Sequence, residues 1–393
     1  MSAWGMRSAR LAGVVAALAP AAAVVAPAPA LAVVPACGST IHVNTTLTGN
    51  MTCPGNGINI GSANVVLDLN GFTITGPGPD VRPAPDQIYA GVRVNSSGAV
   101  VKNGRIQGFT IAVTTTVPGD NVEVTGLTLQ NNGQGYLTQS GGPGGVAPFS
   151  DNTWFHHNTV FGSTGLAVSI QGNGHRVESN TILGNRFGVS IQGSGVTFRG
   201  NTVDGNQSTG VNVGGNVLGD NNLVAGNSIT NNTGNGVNIG GPSTTKVLHG
   251  NRLEGNRIAQ NGDPNNTFGA VNVFSSNGAV VAGNQVVGIG RAIGVALISG
   301  TANTLVSSNQ LTANTDGIFV SAGTTGTRLV GNTAARNVDD GIHVESPATT
   351  LTANGAFQNA AFGIRAVNGV IDGGGNRASG NGVAQCSPSL ACT

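Results

Sequence analysis

Residues 189–206 read Val189-Ser190-Ile191-Gln192-Gly193-Ser194-Gly195-Val196-Thr197-Phe198-Arg199-Gly200-Asn201-Thr202-Val203-Asp204-Gly205-Asn206. Short runs alternate apolar and polar residues, and Gly or Asn, which tolerate positive φ, closes each of them. The same order recurs along the chain. The Asn after the second run falls at Asn158, Asn180, Asn201, Asn227, Asn251, Asn284, Asn309, Asn332, Asn354 and Asn376, and Gly71, Gly104 and Gly126 take the analogous place upstream. Self-similarity at a period of this size marks a solenoid, here of about thirteen coils. The runs are too short for helices, so strands of successive coils must pair in parallel at ~4.8 Å, giving a rod on the order of 60 Å long with Val, Ile and Leu inside. The repeated Asn then sits at a sharp turn, where its amide can pair with backbone groups and with the next Asn in the stack.

The composition agrees with this reading. Among 393 residues are 64 Gly and 45 Asn against two Lys, with 39% hydrophobic and 8% charged residues. Gly and Asn disfavour helix interiors by up to about 1 kcal/mol per residue. Disorder is excluded in turn, because it requires high charge and few apolar residues. At the start, Arg7 and Arg10 precede an apolar run from Leu11 to Val25, and Ala30-Leu31-Ala32 offers a small-x-small cleavage site; residues 1–32 are expected to be a secretory signal. Without Arg7 and Arg10 the mature chain has 15 basic and 16 acidic residues, a net charge of −1. That leaves no electrostatic footprint for nucleic acid or an anionic membrane, and no later apolar run is long enough to span a bilayer. In an exported protein, the four cysteines suggest disulfides, with three connectivities available. Pairing of neighbours is expected: Cys37 with Cys53 in an N-terminal cap over 33–62, and Cys386 with Cys392 in a tail over 382–393. Cysteines more than about 7 Å apart cannot be bridged, which excludes bonds between the two ends of a rod.

Over residues 63–381 the repeat resembles the right-handed parallel β-helix superfamily, which includes pectate lyases, polygalacturonases and the carbohydrate-binding and sugar-hydrolase type repeats. Val65 to Ile74 looks like its usual first coil. The resemblance implies an all-β, single-stranded right-handed parallel β-helix. It also supplies names: PB1 for the Gly-Val-x-Ile strands, PB2 for strands such as Val196 to Arg199, and PB3 for those after the repeated Asn. In the enzymes resembled, the outer face of PB1 is the polysaccharide groove. The partner implied is a polysaccharide or cell-wall glycan, the protein is expected to be a monomer, and no cofactor or metal is expected. The middle residues of PB1 are Ser169, Ser190, Asn212, Asn238, Asn272, Ala296, Phe319, His343 and Arg365. Long insertions at Gly76–Ala90, Gly133–Gly144 and Asn256–Thr267 are expected between PB3 and the next PB1, and insertions sharing one face often mark a binding face. Tyr89 and Tyr136, in or beside two of them, are either sugar-stacking platforms or ordinary loop aromatics.

The densest chemistry lies near the C-terminus. Aligning Gly317, Gly341 and Gly363 places Asp316 beside Asp340 and Arg365 beside His343. Carboxylates stacked on adjacent coils should repel, raising the pKa of at least one, as a general acid requires. Asn314-Thr315-Asp316 and Asp339-Asp340 look like the Asn-Thr-Asp and Asp-Asp motifs of polygalacturonase-type glycoside hydrolases. By that resemblance Asp316, Asp339 and Asp340 supply the acid and the water-activating base of an inverting hydrolysis; apart from the resemblance, His343 and Arg365 are expected to substitute for the family's missing groups, and Phe319 and Glu345 to bind substrate. The pattern departs from the family one coil later, where Phe362-Gly363-Ile364 stands for Gly-His-Gly and no Arg-Ile-Lys follows. The competing reading is that Asp before Gly serves the turn, as Asn235 does before Gly236. A second, local likeness joins Trp154 to His157 with the Trp-Ile-Asp-His segment of pectate lyases, but His156 replaces the Asp and no calcium cage of 6 to 8 oxygens is at hand. Cross-strand charge pairing among His156, Glu178 and Arg199 accounts for that region. The leading expectation is a secreted, carbohydrate-active β-helix protein that hydrolyses an acidic polysaccharide on PB1. The alternatives are a non-catalytic extracellular or cell-surface binding protein, and a polysaccharide lyase or epimerase.

Overall fold

Alternation in Val189-Ser190-Ile191 sends Val189 and Ile191 into the core, at 2% and 0% exposure, and turns Ser190 to the outer face. Repeated coil after coil, this builds two large parallel sheets. A computed structural model describes residues 30–84, 87–139, 148–214, 219–241, 246–262, 269–298 and 300–393. The PB1 strands form a sheet of 15 strands, and the PB2 and PB3 strands merge into a second sheet of 27. No helix occurs among the described residues. The core is a continuous column of Val, Ile and Leu, with Phe109, Phe155 and Phe198 among its largest members. The fold is a right-handed parallel β-helix. The expected PB1 column is also in register, from Ser169 opposite Ser190 to Phe319 opposite His343 and His343 opposite Arg365.

The stack is longer than the repeat suggests. Thr40–Ile41 pairs with Ile58–Ile60, which pairs with Ala90–Val94, so the region expected as a cap carries PB1 strands of its own. At the other end Ala384–Cys386 pairs with Phe362–Ala366. Thr40–Ile41 and Ala384–Cys386 lack the Gly-Val-x-Ile pattern, while Gly57-Ile58-Asn59-Ile60 is close to it. Disulfides join Cys37 to Cys53 and Cys386 to Cys392, with Cα separations of 5.5 and 6.2 Å. The expected leader lies outside the described residues up to position 29, and Leu31–Val33 pairs with Thr45–Leu47.

The Asn stack is present, with one change of member. Asn201 accepts at Oδ1 from the N–H and Nδ2 of Asn180 (2.9 and 3.0 Å) and donates from Nδ2 to the Val177 carbonyl and to Asn227 Oδ1 (2.9 and 3.1 Å). From Asn227 the ladder passes to Asn256, not Asn251. This coil holds Gly-Asn twice, five residues apart, and Leu253 facing inward opposite Val224 sets which one follows PB2. Asn251 instead receives the N–H of Asn222, ahead of PB2. A further ladder, not singled out from the sequence, runs at the turn after PB3 through Asn185, Asn206, Asn232 and Asn261, and again through Asn314, Asn337, Asn359 and Asn381. Ile289 stands in the gap, and Asn314 Oδ1 is left buried without a donor.

Two of the three expected insertions, at 76–90 and after Ala259, do separate PB3 from PB1, although residues 85–86 and 263–268 lie outside the described residues. The expected insertion at 133–144 does not separate them. It contains the PB1 strand Gln134–Thr138, paired with Ile111–Thr115, and residues 140–147 lie outside the described residues.

Candidate functional site

Asp316 and Asp340 precede the glycines that lead into PB1 on adjacent coils. Each spends one oxygen on the backbone: Asp316 Oδ1 accepts the Asp340 N–H at 3.0 Å, and Asp340 Oδ1 accepts the Phe362 N–H at 2.9 Å. The turn role is therefore real for both residues. Their second oxygens meet His343, whose Nδ1 lies 3.6 Å from Asp316 Oδ2 and 3.8 Å from Asp340 Oδ2. Arg365 Nη1 lies 3.7 Å from Asp340 Oδ2, and Glu345 Oε1 lies 3.8 Å from His343 Nε2. The Phe319 ring meets the His343 ring edge-on, with centroids 5.3 Å apart. These polar separations are those of ion pairs and exceed hydrogen-bond length.

Burial decides the electrostatics. Asp340 is 1% exposed and its Oδ2 has no hydrogen-bond partner. Desolvation pushes its pKa up, the Phe362 N–H pulls it down, and the Asp316 charge raises it further. The Asp316 carboxylate raises the pKa of His343 against the opposing effect of burial. The site can thus hold protons on both residues above their ordinary range, with Arg365 exposed at the rim.

Several expected roles change. The facing atoms of Asp316, Asp340 and His343 lie within 4.8 Å of one another, closer than the separation of about 6.5–9.5 Å that leaves room for water in an inverting pair. With Asp316 at 7% and Asp340 at 1% exposure, both carboxylates are also shielded from a polymer on the surface. Asp339 is exposed and, among the described residues, pairs with no cation. The three clustered residues offer two carboxylates and an imidazole to a cation, but the Arg365 guanidinium already brings positive charge to Asp340.

Tyr136 is not a sugar platform: it is fully buried, stacked on Phe155 at 4.6 Å, and burial pushes its phenol up to about 12. Tyr89 is half-buried and packs against the core. In the Trp154 region, Glu178 pairs with Arg176 at 2.7 Å on its own strand, not with Arg199, and also accepts Trp154 Nε1–H at 2.9 Å. Arg176 covers one ring of this group and His156 stacks on Trp154 at 3.7 Å, while Glu123 meets His156 at 3.0 Å. This cluster satisfies itself.

A groove of about 420 Å³ on the PB1 side, lined by Asp80, Arg82, Gln134 and Arg186 among others, escaped the sequence reading. Its residues come from separate coils and form no motif; the 76–90 insertion was the one available signal.

Residues 90–253 match the family described as a right handed beta helix region. No curated protein matches the chain. Among solved structures, the A-module of mannuronan C-5 epimerase AlgE6 from Azotobacter vinelandii superposes with a TM-score of 0.54 at 16% identity, over 84% of this chain and 91% of that one. The AlgE4 A-module from the same organism gives 0.56 at 15% identity, over 86% and 91%. The Dettilon tailspike protein gives 0.55 at 15% identity, over 74% of this chain and 60% of that one. The chain is similar to these in fold.

Proposed function

We propose that the protein is an exported, carbohydrate-active β-helix protein that acts on an acidic polysaccharide at the C-terminal end of PB1. The observation that carries this reading is the juxtaposition of His343 and Arg365 on neighbouring PB1 strands above two buried carboxylates. Both project from the outer face, where cations at the spacing of adjacent strands suit the carboxylates of a uronic-acid chain. The neighbours named as mannuronan epimerases and a tailspike support a glycan as the partner. Paired cysteines at both ends support an oxidising compartment.

In this reading His343, half-buried and held protonated by Asp316, donates a proton to the leaving oxygen in a hydrolysis. Asp316 and Asp340 are positioning residues that fix the imidazole through Nδ1. Arg365 orients the uronate carboxylate, and Phe319 and Glu345 flank the imidazole. Asp339 is the exposed carboxylate available to activate water. A second reading has its own observation. With two carboxylates too close for an inverting pair, His343 beside Arg365, once neutral above its raised pKa, suits removal of the proton next to a uronate carboxyl group, as a lyase or epimerase requires.

The test is to incubate the purified chain with a panel of uronic-acid polysaccharides. New reducing ends without unsaturation indicate hydrolysis, unsaturated ends indicate elimination, and inverted C5 without cleavage indicates epimerisation. Binding without any of the three supports a non-catalytic glycan-binding protein. Neither product nor binding on the whole panel would reject the reading.

A further inference from the structure

The groove near the N-terminal end of PB1 is built from parts that the acid cluster does not use. Residues 78–84 and 87–89 form one wall, fastened in several places. Thr110, 3% exposed, donates from Oγ1 to the Val81 carbonyl at 3.0 Å and accepts the Tyr89 N–H at 3.3 Å, while the Gly78 N–H meets the Gly108 carbonyl at 2.7 Å. Gly133 lies beneath the wall: a Cβ there would come 2.5 Å from the Thr110 carbonyl oxygen and 3.0 Å from that of Pro79. The wall sits down on the rod only because position 133 has no side chain.

This fixed groove presents a particular set of groups. Arg82 and Arg186 line it from opposite sides in sequence, both exposed, and neither is in a salt bridge among the described residues. Asp80 adds acceptors at the rim, and Gln134 has an Oε1 buried without a hydrogen-bond partner. Ile88 and Leu137 supply apolar surface. Guanidinium groups with no carboxylate partner among the described residues, Arg186 resting only on the Phe187 ring at 5.3 Å, ask for an anion; a carboxylate and an unspent amide oxygen ask for hydroxyl donors; and apolar patches suit the C–H faces of a sugar ring. A ligand that answers all three at once is a saccharide carrying an acidic group.

We infer that this groove is an anchoring site for an anionic saccharide, carboxylated or sulfated, separate from the Asp316–His343 cluster. The strands bordering it, Ile111–Thr115 to Phe187–Ile191, lie five to nine coils from the strands Ile318–Val320 and Ile342–Val344, which is roughly 25–45 Å at ~4.8 Å per coil. A short oligomer can occupy the groove alone, and only a long chain reaches both. The inference shares with the proposed function the idea of an acidic glycan on PB1, but it does not require the protein to catalyse anything.

The test uses the full chain carrying His343→Gln, so that turnover does not consume the probe during the measurement. Its affinity is measured for a galacturonate oligomer, a mannuronate oligomer, a sulfated glycosaminoglycan oligomer and a neutral gluco-oligomer, then again after adding Arg82→Gln and Arg186→Gln. Both arginines are exposed, and unchanged melting checks that the fold is intact. Binding of at least one anionic oligomer that falls at least about tenfold in the arginine variant and weakens with added salt is the expected result. Which acidic oligomer binds tells carboxylate from sulfate. No binding of any anionic oligomer, equal binding of the neutral one, or affinity indifferent to both arginines would overturn the assignment. Loss of binding in the arginine variant with no activity in the wild type would sink the catalytic reading and leave this one standing; activity with arginine-independent binding would do the reverse.

Discussion

Asn235 and Asn238 hold the same two places in their coil that Asp340 and His343 hold further along the same sheet. In the earlier coil the pair closes on itself. Asn235 Nδ2 donates to Asn238 Oδ1 at 3.0 Å, Asn272 Nδ2 donates to the same oxygen at 3.1 Å, and Asn272 Oδ1 accepts the Gly269 N–H at 2.8 Å. In the later coil Asp340 spends Oδ1 on the backbone and leaves Oδ2 buried without a hydrogen bond. Between the two regions Ile293 and Ala296 occupy those places and offer no polar group. The backbone is common to all three. An amide carries donors and acceptors and can satisfy its copies up and down the stack, whereas an ionised carboxylate only accepts. Stacked carboxylates must therefore find a proton or a cation outside their own ladder, and His343 and Arg365 are placed to meet that need. A periodic scaffold made of self-satisfying amides gains titratable groups where the amides are exchanged for acids.

The comparison breaks most visibly through His343. If the charged coil is the site, His343→Gln should lower kcat on the cleaved or epimerised polysaccharide at least about 100-fold, the lower range for a lost general acid or base. Asn238→Ala, the matching change in the neutral coil, should leave kcat within about twofold while costing on the order of 1 kcal/mol of stability. Equal kinetic effects at the two places would erase the distinction drawn here.

Beneath both regions runs the Asn ladder between PB2 and PB3, and its corrected membership can be tested by chemical denaturation. Asn256→Ala should destabilise the rod by about 1–3 kcal/mol, because it strands the Asn227 donors and the Val224 carbonyl. Asn251→Ala should cost less, since the Nδ2 of Asn251 has no partner to lose. The reverse order would restore Asn251 to the ladder.

Stability against pH sharpens the contrast further. The folded pKa of His343 is raised, so its contribution is fully present below the unfolded value of about 6.5 and is lost as pH rises through the folded value. Melting of His343→Gln should therefore fall short of wild type at pH 5 and converge with it at alkaline pH, while Asn238→Ala should show a deficit that does not vary with pH. A constant deficit for His343→Gln would remove the ion-pair account.

The smallest effect is expected from Asp340→Asn. Its raised folded pKa means that the ionised form weakens the fold at neutral pH, with stability greatest below the ordinary Asp value and declining as pH rises through the folded one. The amide keeps an acceptor for the Phe362 N–H and removes the buried charge. Thermal melting at pH 7 should be equal to or slightly above wild type, alongside reduced activity. A clear loss of stability would show the carboxylate to be a structural group alone.

The coil pattern was legible wherever Gly and Asn punctuate alternating runs, as in residues 189–206, because turns that need positive φ and strands of period two leave marks in local sequence. It failed at Thr40–Ile41, a strand of two residues without such marks, and it passed over Ile58–Ile60 although Asn56-Gly57-Ile58-Asn59-Ile60 carries them. It slipped by one strand at Asn251, where two Gly-Asn pairs compete locally and only the inward packing of Leu253 separates them. For the site, register alone brought Asp316, Asp340, His343 and Arg365 together, since position in a repeat fixes position on the rod.

What the sequence by itself determined is therefore the coil, its direction of stacking and the column of residues facing outward on PB1. Each follows from periodicity, which is a one-dimensional property. Only the tertiary structure decided that Tyr136 points into the core, that Asp316 and Asp340 lie too close and too deep to act as an inverting pair, and that Asp80, Arg82, Gln134 and Arg186 share a groove. Those facts depend on burial and on loops crossing between coils, where the relevant neighbour is a residue far along the chain and no local pattern records its distance.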